Sequence, residues 1–283
     1  IDDGIVMDFG KIETPGGRRP NIYGLNQNSG YFIGVDICHS HVNIGITDFK
    51  GELISDELSI PFIESQPQER FQRLCEIITQ FIHNSKVPKH KILSMGINIS
   101  GRVNTLTGHS YSSFYFDERP LTEMFENELN INVSIDNDSR AMTYGEYIKG
   151  CVNGEKNVLY VNVSWGLGLG IIVGGQLYYG KSGFSGEFGH IPAFGNEILC
   201  HCGKKGCLET EASGLALHRK FLEKLHSGHS SLLTQKSGYN PNAPISLNDI
   251  IEVALQEDML AIELIEEIGN SLGKHIAGLI NLF

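Results

Sequence analysis

Short runs of alternating apolar and polar residues occupy the early part of the chain. They fall at residues 31–37, 42–48 and 52–60, separated by turn formers. A period of two predicts strands, and their close succession predicts an antiparallel meander. The spacing then lengthens to three and four. Phe71, Leu74, Ile77, Ile78 and Phe81 predict a helix over 67–85. A buried strand at 92–99, a short helix at 121–129 and a strand at 133–135 follow. The next helix is predicted at 139–150, with Asp138 or Ser139 as its cap. Strands at 157–163 and 169–173 flank Gly166-Leu167-Gly168, and helices are predicted at 215–225, 247–254 and 259–282. The polar stretch 227–244 reads as a surface loop. At the start, 5–10 and 21–26 read as two strands around a loop, 10–20, that carries Lys11, Arg18 and Arg19. Such a hairpin is marginal alone and must lean on something else. A meander followed by alternating helices and strands, renewed in a second half, predicts an α/β protein with two lobes divided near residue 136.

Composition narrows the function classes. The chain has 283 residues, 41% hydrophobic and 19% charged, which is ordinary for a soluble globular protein and enough for two modest domains. No apolar run reaches the eighteen or so residues that span a bilayer. Ile1-Asp2-Asp3 offers no basic start of a signal peptide. A net charge of −11 opposes non-specific binding to nucleic acid. Of six cysteines, three fall between residues 200 and 207. That clustering argues for a metal and a reducing cytoplasm rather than a disulfide framework.

The densest chemistry lies in residues 186–211. Cys200-His201-Cys202-Gly203 is followed by Cys207, with His190 ten residues before Cys200. Three thiols and one imidazole suit tetrahedral Zn²⁺, and four protein ligands make the metal structural. Gly203 and Gly206 permit the tight turns this requires. His190 is the expected nitrogen ligand because it would tie its own turn to the cysteine knuckle; His201 competes for that role.

Gly186-Glu187-x-Gly189-His190, then Cys-x-Cys-Gly-x-x-Gly-Cys-Leu-Glu and Ala212-Ser213-Gly214, resembles the signature of the ROK family, which holds repressors, open reading frames and sugar kinases. The resemblance runs from about Gly30 to the last residue. It implies a two-lobed actin-like ATPase fold (ribonuclease H-like) carrying a zinc knuckle. The expected domains are a wing and linker remnant over 1–27, an N-terminal α/β lobe over 28–136 and a C-terminal lobe over 137–283. The Gly-Gly-Arg-Arg-Pro stretch near the start is similar to the wing that follows a winged helix-turn-helix in ROK repressors. By that likeness the chain begins inside a longer protein and stops short of the family's full C-terminal part.

The resemblance also implies a sugar site. Asn137, Asp138, Glu187, His190 and Glu209 match the family's sugar ligands, and Asp138 matches the catalytic base of its kinases. Carboxylates suit this task because each accepts several hydroxyl protons. From the residues alone, a helix cap is the simpler role for Asp138. The phosphate loops depart from the kinase pattern. Asp36-Ile37-Cys38-His39-Ser40 stands where kinases carry Asp-x-Gly-Gly-Thr, and Ser164-Trp165-Gly166 where they carry Gly-Thr-Gly. Asp36, Gly166 and Gly168 are what remains. Phosphoryl transfer depends on positioning and neutralising the phosphates. The expectation is therefore a cytoplasmic, sugar- or sugar-phosphate-responsive repressor, homodimeric or homotetrameric, without ATP and Mg²⁺. Operator DNA would be bound through an N-terminal head, and no membrane is involved. The alternative is an ATP-dependent kinase of hexoses or N-acetylhexosamines.

Overall fold

The computed structural model describes residues 4–11, 20–235, 240 and 243–283. Arg18 and Arg19 of the expected wing lie outside the described residues. The chain divides into two compact units, Ile1–Ala141 and Met142–Phe283.

In the first unit β1 (Val6–Lys11) pairs antiparallel with β2 (Asn21–Leu25). Its main sheet follows. β3 (Tyr31–Ile37), β4 (His41–Asp48) and β5 (Leu53–Pro61) form the expected antiparallel meander. Helix α1 (Pro67–Ser85) then carries the chain to β6 (Ile92–Ile99), parallel to β3. Two short strands, β7 (Val103–Asn104) and β8 (His109–Ser110), make a small hairpin. Helix α2 (Leu121–Leu129) precedes β9 (Val133–Asn137), which pairs parallel with β6. The sheet order is β5-β4-β3-β6-β9. Alternation decides its faces: Ile33, Val35 and Ile37 of β3 and Val42, Ile44 and Ile46 of β4 are buried with Leu74, Ile78 and Phe81 of α1.

Helix α3 spans Asp138–Lys149. In the second unit β10 (Val158–Val163), β11 (Leu167–Val173) and β12 (Gln176–Leu177) form an antiparallel sheet. Helices α4 (Gly214–His226), α5 (Leu232–Gln235), α6 (Leu247–Leu255) and α7 (Met259–Ile280) complete it. Leu169, Ile171, Phe221, Ile250, Val253, Ala261 and Leu264 share one core. In this unit α4, α6 and α7 start on side-chain caps: Ser213 for α4, a Ser246–Asp249 capping box for α6 and Asp258 for α7.

Three sequence expectations need correction. The stretch 227–244 is not all loop, because α5 forms where Asp258 Oδ2 accepts both Ser231 Oγ and the Leu232 amide, and Ser231 Oγ accepts the Leu233 amide. The strand expected at 169 begins at Leu167, so Gly168 and Gly170 lie inside β11 opposite Asn162 and Tyr160. The alternation Leu167, Leu169, Ile171 buries one face of β11 and carries the glycines with it. Finally, α3 is capped from Asn137, whose Oδ1 accepts the Arg140 amide at 3.2 Å; Asp138 is already its first residue. No helix among the described residues is long and apolar enough to cross a membrane.

Candidate metal centre and ligand-binding groups

After β12 the chain turns back beneath β11, and glycine is required where it does. Gly186 has φ +87°, and a Cβ there would stand 1.9 Å from the Leu169 carbonyl oxygen. A Cβ on Gly189 would stand 2.3 Å from the Leu167 carbonyl oxygen. The 3₁₀ turn Phe188–His190 is therefore pressed onto the strand backbone. The cysteine segment then folds on itself. The Ala193 and Phe194 amides both donate to the Gly206 carbonyl, and the Cys200 amide donates to the Lys204 carbonyl at 2.8 Å. Gly203 closes the Cys200–Gly203 turn.

These turns gather four donor atoms. Cys200 Sγ lies 3.5 Å from His190 Nδ1, and Cys202 Sγ lies 3.6 Å from Cys207 Sγ. The ligand atoms of His190, Cys200, Cys202 and Cys207 all fall within 4.8 Å of one another. A tetrahedron with Zn–S near 2.3 Å and Zn–N near 2.05 Å has edges of about 3.5–3.8 Å. The donor set and its spacing fit that ion. Cys200 and Cys207 are buried, and His190 and Cys202 are half-buried. Burial holds the His190 imidazole below its ordinary range despite Glu209 and Glu187, which keeps it neutral as a metal ligand must be. Its Nε2 faces Glu187 Oε2 at 3.8 Å.

His190, His201 and Glu209 form a second set within the same 4.8 Å limit. The two sets share His190, and thiolates favour zinc in the first. His201 Nδ1 is instead taken by Glu209 Oε1 at 3.1 Å. Glu209 is 6% exposed. Its Oε2 accepts the Leu167 amide at 2.9 Å. Burial alone would raise its carboxyl, but the bonds from His201 and Leu167 outweigh that and hold it below the usual range.

The first unit holds the other expected residues. At the end of β9, Asn137 Nδ2 donates to the Gly101 carbonyl at 3.1 Å. Asp138 Oδ2 accepts from Ser100 Oγ at 2.6 Å, and its Oδ1 accepts the Ser139 amide at 2.7 Å. Burial pushes the Asp138 carboxyl up against these bonds. Asp36 is the penultimate residue of β3, and the Cys38 thiol donates to its Oδ2 at 3.4 Å. Burial and then Asp36 push that thiol up to about 12. The β3–β4 turn is closed by the Cys38 amide donating to the His41 carbonyl at 2.9 Å. Gly166 sits in the β10–β11 turn, where a Cβ would come 2.8 Å from Glu209 Oε2. Sequence reasoning missed Ser100 as the partner of Asp138, and the Asp136–Arg140 ion pair at 2.7 Å. The signal for Ser100 was its place just beyond the apolar run of β6; for Arg140 it was the four-residue spacing from Asp136.

A profile of the ROK family matches residues 32–283, and the chain belongs to that family. The xylose repressor of Bacillus subtilis strain 168 is 29% identical over 100% of this chain and 69% of its own length. Among solved structures, a ROK family transcriptional regulator described as a homologue of the Escherichia coli MLC protein has a TM-score of 0.77. It is 26% identical and covers 100% of this chain and 70% of its own. A ROK family glucokinase from Streptomyces griseus, in complex with glucose and AMPPNP, has a TM-score of 0.76. It is 28% identical, over 90% of this chain and 80% of its own. The α/β fold is thus shared with a transcriptional regulator and with a kinase.

Proposed function

We propose that this chain is the sugar-sensing part of a ROK transcriptional repressor, acting as a homo-oligomer in the cytoplasm, with operator DNA bound by a separate N-terminal head. The observation that carries the reading is the β3–β4 turn. A kinase would need glycine amides there to wrap phosphate. Here the turn presents a thiol bound to a carboxylate, and its Cys38 amide is spent on His41. Trp165 in the β10–β11 turn further departs from a phosphate loop. A repressor relative aligned along the whole chain supports the same choice.

Sugar hydroxyls would be read in the first unit by Asn137 and Asp138 and in the second by Glu187, His190 and Glu209. Zinc held by His190, Cys200, Cys202 and Cys207 would fix the knuckle and, through Nδ1, orient the His190 ring. The remaining imidazole nitrogen faces Glu187, as a ligand-binding pair requires.

Thermal unfolding with zinc retained tests this, against xylose, glucose, N-acetylglucosamine and ATP–Mg²⁺. One sugar at a hundred times its Kd should add about 2.7 kcal/mol. Stabilisation by ATP–Mg²⁺ would sink the repressor reading. The second reading, a hexose kinase, rests on Asp138, a carboxylate at the start of α3 that burial pushes above its ordinary range. Sugar-dependent ADP release near one per second would establish it.

A further inference from the structure

Glu209 has one oxygen to offer a ligand. Oε2 accepts the Leu167 amide and lies close over Gly166. Oε1 carries His201 Nδ1 at 3.1 Å. The His201 ring also stands edge-on against His190, with centroids 5.0 Å apart and planes at 76°. His201 therefore lies against two of the three groups assigned to sugar in this unit. The proposed metal set does not require it, since His190 offers a nitrogen beside the three thiols. Its side chain is 68% exposed, while the backbone beneath is fixed by the bonds from Cys200 to Lys204 and from Gly203 to Cys200. The ring can therefore leave Glu209 without moving the cysteines.

We propose that His201 is a competing gate of the sugar subsite, holding Glu209 Oε1 until a sugar hydroxyl replaces it. This rests on the reading of Glu209 as a sugar ligand. A buried carboxylate left without a partner is costly, so the exchange proceeds only when the incoming hydroxyl restores the bond. A sugar lacking that hydroxyl leaves His201 in place and gains nothing from Glu209. A sugar that takes Oε1 is thus weakened by the strength of the imidazole–carboxylate bond it replaces, and a sugar that leaves His201 in place is not.

Calorimetric titration with xylose, glucose and N-acetylglucosamine tests the gate in the zinc-loaded chain. His201→Ala should bind the responsive sugar roughly three- to tenfold more tightly, the range expected of a largely exposed charge-assisted bond. His201→Gln, which keeps a donor for Oε1, should stay within about twofold of the parent on the same ground. Zinc content should be unchanged in both. Weaker or unchanged binding by His201→Ala overturns the gate. Glu209→Gln separates the two ideas. If it weakens binding while His201→Ala does not tighten it, the gate alone fails. If it leaves binding unchanged, or no sugar of the three binds, the sugar reading of Glu209 fails with it.

Discussion

The Leu167 amide donates to Glu209 Oε2 at 2.9 Å across forty-two residues of sequence. That bond fastens the segment following the cysteine knuckle to the first residue of β11. Gly189 packs in the same place, where any Cβ would meet both the Leu167 carbonyl and the Glu209 side chain. The knuckle, the His190 turn and the β10–β11 turn therefore share one set of contacts, and disturbing any of them should reach the others.

Zinc removal is the most direct perturbation. The purified chain should contain about one zinc, and Cys202→Ser or Cys207→Ser should lose most of it, because a four-ligand site missing a thiolate binds far more weakly. Metal binding is coupled to folding, so each variant should lose several kcal/mol in urea melts. Mass-spectrometric metal content and the melts together check this. Full metal in either variant would refute the ligand assignment.

Gly186→Ala should be severely destabilising, by about 3 kcal/mol or more, since it combines a positive φ with a backbone clash. Gly195→Ala is the control: a Cβ there meets nothing within 4 Å, and its φ is not positive. Equal melting of the two variants would contradict the packing of the His190 turn.

Asp138 ties stability to pH. Burial raises its carboxyl above the ordinary range, against the bonds from Ser100 and Ser139. A group raised in the fold contributes stability while protonated and loses it as pH rises through the raised value. Asp138→Asn should therefore be more stable than the parent by about 1 kcal/mol at pH 8, with no gain near pH 4. The same variant should lose sugar affinity if Asp138 reads a hydroxyl. Urea melts at both pH values and a sugar titration measure the two effects separately.

Asp258 offers a purely structural comparison. It is 2% exposed; its Oδ1 caps α7 at Ala261, and its Oδ2 accepts from Ser231 Oγ and the Leu232 amide. Asp258→Ala should cost about 3 kcal/mol by stranding three donors. Zinc content should be unaffected, and a loss of zinc would show that α7 and the knuckle depend on each other more than these bonds suggest.

The sequence by itself determined the strands of the first sheet, the long helices and which cysteines and histidine come together as a candidate metal set. Alternation such as Val42, Ile44, Ile46 reports burial of one face directly, and ligands clustered within eighteen residues need only local turns to meet. It also determined the family, through the long motif around Cys200. Tertiary structure decided what the polar residues do. Ser100 reaches Asp138 across thirty-eight residues, and Glu209 reaches Leu167 across forty-two. Asn137, rather than its neighbours, caps α3, and Gly168 lies in a strand rather than a turn. Periodicity records which side chains must leave water. It does not record which distant donor a buried carboxylate will meet, because that follows only from how the elements pack.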